Sequence, residues 1–214
     1  MANANIAITG GNVDTYQLGA GDHRQIVMLG DHGGYEGRAT SFITPGRAGT
    51  TGQKLMSIHN ATGSTIAVDV NMIAVDIYQT VIKAVTVPPP LIRVSKFTAL
   101  HTGGNAITKV SVDSGAPATS SSVTVLGDAS ANLASSTTAL AFTPTGGLTQ
   151  EFAPRLITAA GYEMLDRTVF LDSGGPVTLR ALEGLGVELV YTAATQNPIT
   201  DMWSVNMKWE EYTP

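Results

Sequence analysis

From Gln53 onward, apolar and polar side chains alternate with a period of two, the pattern of strands with one face buried and the other solvated. Ile66, Val68, Val70 and Met72 hold one phase, and Ile73, Val75 and Ile77 hold the other. A phase change inside one long strand predicts a β-bulge near Met72 and Ile73, and a bend that lets the strand serve two sheets. Pro88-Pro89-Pro90 ends the preceding apolar run, because proline has no N–H for a ladder, and a new strand is expected over 91–100. Further strands are expected over 106–112, 122–126, 139–143 and 168–171. The clearest are the last three. Val177, Leu179 and Ala181, then Leu185, Val187, Leu189 and Tyr191, then Trp203, Val205, Met207 and Trp209 each set apolar side chains against polar or small ones. Trp203 and Trp209 therefore read as core, in preference to a sugar-stacking platform. Glu210-Glu211-Tyr212 is expected to cap a sheet edge with charge.

Helical signals are few. One turn is conceivable over 131–136, and the helix formers over 149–165 are interrupted by Pro154 and Gly161. Residues 1–50 carry glycine too often for a packed domain and read as an arm. Its one strand signal is Arg24-Gln25-Ile26-Val27-Met28-Leu29, apolar on both faces and stopped by Gly30-Asp31. The expected architecture is all-β: an antiparallel two-sheet sandwich, jelly-roll-like, over 51–214, preceded by an extended N-terminal arm over 1–50. The Ser/Thr/Ala-rich stretch 114–136 is the expected long exposed loop. No internal repeat of fixed period is visible, which disfavours a propeller or solenoid.

Composition sharpens the picture at two points. Charged residues are only 14% of the 214, against the usual ~25%, so the surface is expected to mate with other copies or partners. The 12 Lys+Arg against 17 Asp+Glu, without a basic cluster, lack the footprint of phosphate-backbone binding, and nucleic acid is not expected as a partner. Absence of cysteine excludes disulfides, thiolate metal sites and cysteine nucleophiles. The first residues lack the basic and apolar regions of a Sec-type leader, and the apolar stretch over 66–75 is interrupted by Asp69 and Asn71. Membrane association is not expected, and synthesis in the cytoplasm is.

Chemistry-bearing constellations are sparse. Asp172-Ser173-Gly174-Gly175-Pro176 resembles the nucleophile loop of trypsin-like serine proteases; Thr98-Ala99-Leu100-His101 loosely resembles their histidine segment, and Asp113 or Asp128 lies between. Leu171 stands where that motif has glycine, and the chain is short for two six-stranded barrels. The favoured reading of the segment is a turn joining two strands. His23 and His32, beside Asp22 and Asp31, lie in the arm without the fixed geometry a metal needs, so no metal is expected. Gly184-Leu185-Gly186 lacks the third glycine and βαβ setting of a dinucleotide site, and no cofactor is expected.

Asn60-Ala61-Thr62-Gly63-Ser64, the alternating strand through Asp76 and Gln79, Ala141-Phe142-Thr143-Pro144-Thr145 and the closing Trp203-Ser204-Val205-Asn206-Met207-Lys208-Trp209-Glu210-Glu211 resemble minor virion structural proteins of tailed bacteriophages. The arm segment from Arg24 to Asp31 is similar to an N-terminal stretch of phage structural proteins. The resemblance implies a non-enzymatic β-sandwich that decorates or cements the capsid, or sits in a head fibre or tail. The expectation is a virion protein binding the major capsid protein and itself, as a homotrimer or homodimer, through Tyr16, Arg24, Ile26, Val27, Met28, Leu29, Tyr35 and Phe42. A tail or fibre component that binds a host surface is the alternative, and a serine hydrolase using Ser173 and His101 is the alternative from a different class.

Overall fold

The computed structural model describes residues 16–17, 23–24, 35–43, 52–78, 91–111, 119–127, 139–145, 149–152, 167–170, 176–190 and 202–214. The chain forms two compact units, Met1–Gly33 and Gly34–Pro214. The described part of the first is a pair of two-residue antiparallel strands, β1 (Tyr16–Gln17) and β2 (His23–Arg24), with Tyr16 opposite Arg24.

The described part of the second unit is all-β, two antiparallel sheets with no helix among the described residues. The first sheet holds β3 (Tyr35–Ile43), β5 (Ala67–Tyr78), β8 (Val110–Ser111), β11 (Arg167–Phe170), β12 (Val177–Leu179) and β14 (Met202–Tyr212). The second holds β4 (Gly52–Asn60), β6 (Leu91–Phe97), β7 (Asn105–Ala106), β9 (Val123–Gly127), β10 (Thr149–Phe152) and β13 (Gly184–Val190). The orders are β11-β5-β14-β3-β8, with β12 also on β5, and β10-β6-β13-β4-β9-β7. Consecutive strands β3, β4, β5 and β6 alternate between the sheets, so the core is made of residues distant in sequence.

One apolar cluster fills the sandwich. The first sheet contributes Ala39, Val68, Val70, Ile73, Val75, Leu179, Trp203, Val205, Met207 and Trp209, and the second contributes Met56, Ile58, Ile92, Val94, Val123, Val125, Leu185, Val187 and Leu189. Both indoles are buried, as the alternation implied. At roughly 25 cal/mol per Å² of apolar surface removed from water, such side chains outweigh any single polar contact in the molecule.

The phase change in β5 is a bulge. Lys208 lies opposite Met72 and Trp209 opposite Val70, so Asn71 is the extra residue. It lets Val68 and Val70 on one side of it, and Ile73 and Val75 on the other, all reach the core. A second register shift, in the β4 pairing with β13, leaves Leu55 unpaired between Lys54 and Met56, and Leu55 joins the core as well.

Several expectations change. The bulged β5 stays within one sheet, with β14 on one side and β11 and β12 on the other, because the bulge adds twist without releasing the flanking pairs. β3, inside the expected arm, is hydrogen-bonded to β14 over nine residues, and the two units divide at Gly33 and Gly34. Of the stretch 106–112, Ala106 ends β7 and Val110–Ser111 form β8, with 107–109 outside any strand; 139–143 supplies only the isolated bridge between Ala141 and Thr102, and 149–152 is strand. β9 is the strand expected over 122–126, with Val123 and Val125 buried, so the stretch 114–136 is not one continuous exposed loop. β14 is flanked on both sides, so Glu210 and Glu211 do not cap an edge. Glu211 is buried and accepts hydrogen bonds from the Ser120 N–H (2.7 Å), Thr119 Oγ1 (2.7 Å) and the Trp209 indole N–H (2.9 Å). β11 and β12 run the same way along one side of β5, so they are not the two arms of a hairpin. The strand expected over 24–29 lies, beyond Arg24, outside the described residues, as do Pro88 to Pro90.

The bulge generates a test. Deleting Asn71 restores a regular ladder with Val70 and Ile73 still facing inward, and is expected to change stability by no more than about 1 kcal/mol. Deleting Ala74 turns Val75 outward and Asp76 into the core, and is expected to cost upward of about 4 kcal/mol. Thermal unfolding of the two variants checks the contrast.

Candidate functional site

A concentration of polar and aromatic side chains lies on the outer face of the second sheet. Antiparallel pairing places directly opposed residues on the same face, and three rows result. Thr124, His59, Gly184 and Phe97 form one; Leu126, Ser57, Gly186 and Ser95 the next; Lys54, Glu188, Arg93 and Glu151 the third.

Segments 98–104 and 139–145 cover this face, and 98–104 leads directly into the edge strand β7. They are joined by two backbone hydrogen bonds, Thr102 N–H to the Ala141 carbonyl (2.9 Å) and Ala141 N–H to the Thr102 carbonyl (2.8 Å). The Thr145 N–H donates to the Lys96 carbonyl (3.0 Å), which ties the cover to the sheet, and just beyond β7 the Ile107 N–H donates to the Val125 carbonyl (3.0 Å). Beneath it lies a small second core of Phe97, Leu140 and Phe142, with Leu126 packed against it.

Ring geometry explains why this core is possible. Phe97 stacks on Phe142 with centroids 5.0 Å apart and on His59 at 5.8 Å. Both phenyl rings lie directly against the strand β13, Phe97 over Gly184 and Phe142 over Gly186. A Cβ at either glycine would overlap the ring above it, so only glycine admits the rings this close. Lys54 Nζ sits 4.5 Å from the Phe142 centroid, a cation–π contact at the compartment's rim.

His101 reaches down from the cover. Its Nδ1 is 2.7 Å from Ser57 Oγ and its Nε2 is 2.8 Å from Thr124 Oγ1, so both ring nitrogens are engaged by hydroxyls of two different strands. The His59 ring lies 5.2 Å from it, centroid to centroid. Burial, and then the neighbouring His59, push the His101 pKa down to about 4. Burial also lowers that of His59; the Leu182 backbone partly offsets this, at a geometry short of a full hydrogen bond to either ring nitrogen. Leu182 has φ 74°, in the left-handed region that leucine rarely adopts, and is held there by its N–H donating to the Asn60 carbonyl (2.8 Å).

The third row is a line of alternating charge. Glu188 is buried and pairs with both Lys54 and Arg93 (3.2 Å), and Arg93 pairs again with Glu151 (2.5 Å). Burial opposes the Arg93 charge, but Glu151 and Glu188 outweigh it and raise its pKa.

The sequence candidates are distributed differently. Tyr16 and Arg24 face each other in the β1–β2 pair, and Ile26, Val27, Met28 and Leu29 lie outside the described residues. Tyr35 and Phe42 belong to β3, opposite Glu211 and Ser204 of β14. Ser173 lies outside the described residues, while His101 is bonded to Ser57 and Thr124. Among the described residues no group of three or more His, Cys, Asp or Glu is placed to hold a metal, and no helix is long and apolar enough to cross a membrane. Comparison with protein-family models, with curated proteins and with solved structures finds no match.

Ser57, His59, Phe142 and the glycine pair were not singled out for this role from the sequence. The available signal was the spacing Gly184-Leu185-Gly186 at the start of a mostly apolar strand, which marks a close approach of another group to the backbone. Substituting Gly184 with alanine sets the new methyl against both the Phe97 ring and the Ile58 carbonyl, and is expected to cost about 1–3 kcal/mol. Gly186→Ala is expected to displace Phe142 at a similar cost. Chemical denaturation, read together with the ring-shifted NMR signals of the two phenylalanines, checks both.

Proposed function

We propose that this chain is a non-enzymatic structural protein of a tailed-phage virion, a decoration or cement protein that binds the major capsid protein through its N-terminal segment. The observation that carries the reading is the division of labour along the chain. Among the described residues, both six-stranded sheets are built from β3 to β14, and β1 and β2 pair with each other. A glycine-rich segment whose described strands the sheets do not use is free to serve a partner, and an extended segment reaches roughly 3.3 Å per residue. The low charge content and the resemblance of the closing strand to phage virion proteins support the same reading.

Because β3 is bonded to β14 along its whole length, the proposed anchor narrows to Tyr16, Arg24, Ile26, Val27, Met28 and Leu29. Self-association as a homotrimer or homodimer on the shell belongs to the same proposal, since closed symmetry repeats one weak contact many times.

Truncation tests it directly. A chain lacking residues 1–33 is expected to keep its strand circular dichroism and cooperative unfolding yet lose binding to capsids that lack the protein, as read by mass photometry and by imaging of the added density. A chain lacking 1–48 also loses β3 and is expected to unfold. Undiminished capsid binding by the shorter truncation, or bare capsids with the full chain, would sink the proposal.

A further inference from the structure

His59 and His101 share the closed compartment between the second sheet and its cover, and both are buried. His101 belongs to the cover, and its two hydrogen bonds cross to β4 and β9. Phe97 lies within 6.0 Å of both imidazoles, centroid to centroid.

Among the described residues, the charged groups around them offer an imidazolium no partner. β4 contributes Lys54, itself a cation. Glu188 of β13 is taken by Lys54 and Arg93, and Glu151 of β10 by Arg93 of β6. Glu183, just ahead of β13, is taken by Lys96 of β6 and by the Arg180 N–H. Lys109, beyond β7, donates to the Ser120 and Val123 carbonyls. β9 and segments 98–107 and 139–145 carry no Asp, Glu, Lys or Arg. The hydroxyls of Ser57 and Thr124 can accept from a doubly protonated ring, but they carry no charge to balance it.

We propose that the His59–His101 pair is an acid-sensitive latch: protonation inside this compartment drives segments 98–104 and 139–145 off the second sheet while the two-sheet core stays folded. The opening is local because the cover is secured by a few backbone hydrogen bonds and a three-residue core, whereas twenty buried residues hold the sandwich. Both imidazoles are harder to protonate closed than open, so the open form binds more protons. The closed form is therefore fully favoured above the ordinary imidazole value of 6.5 and loses ground as pH falls toward the His101 value of about 4. Opening exposes Phe97, Leu140 and Phe142. The latch does not rest on the assignment of the chain to a virion.

Hydrogen exchange of the full chain, labelled at pH 7.5, 5.5 and 4.5 and corrected for the chemical exchange rate, tests it. Peptides from 98–104 and 139–145 are expected to exchange faster on acidification, by about tenfold per pH unit for each proton taken up, while β14 peptides stay protected. His101→Gln, which keeps a hydrogen-bonding side chain without a titrating ring, and His59→Phe, which keeps the stack on Phe97, are each expected to flatten that slope. Loss of protection by the cover and β14 together, or a slope unchanged in both variants, would overturn the latch. Should either variant fail to fold at pH 7.5, the comparison of cover and β14 peptides in the natural chain decides.

Discussion

The sandwich depends on burying two indoles from one strand. β14 runs between β5 and β3, and its inward row of Trp203, Val205, Met207 and Trp209 occupies the middle of the core. Large rings placed centrally must be met by side chains from every surrounding strand, and β5 meets them only because Asn71 bulges out and lets Val70 and Ile73 face the same way. The Trp209 N–H needs an acceptor once buried, and Glu211 supplies it while also holding Thr119 and Ser120 ahead of β9. One packing demand thus reaches the register of β5 and the segment leading into the opposite sheet.

The second sheet meets a different demand, because segments 98–104 and 139–145 cover its outer face. Two glycines on β13 leave room for phenyl rings flat against the backbone, and the rings shelter a pair of imidazoles. Where carboxylates are present on this face, they are committed to Lys54, Arg93 and Lys96, so the imidazoles are left among hydroxyls and aromatic carbon. Neutral histidine suits that environment and charged histidine does not. This difference makes the cover a candidate for movement while the core beneath is not.

A virion role and an acid-sensitive cover draw on separate parts of the chain. The first uses a segment whose described strands, β1 and β2, pair with each other, and the second uses side chains fixed between sheet and cover. A β-sandwich by itself carries no function, since one scaffold serves many, and what distinguishes this one is what lies ahead of it and what lies on its outer face.

Period-two alternation determined much by itself: the all-β class, the long strands of the second half, the buried tryptophans and the bulge in β5, because a strand's faces are set by local geometry within a few residues. Strand order was beyond it. That β3 belongs to the sheet, that β11 and β12 run collinearly along β5, and that β14 is central follow from hydrogen bonds between residues far apart in sequence, which local pattern does not encode. The histidine compartment was equally hidden. His59, Ser57, His101, Thr124 and Phe142 come from four separate stretches of chain, and no short motif contains any two of the stretches. Only tertiary packing brought the two imidazoles together, away from water and, among the described residues, from any free carboxylate, and only there does their ordinary chemistry become a response to acid.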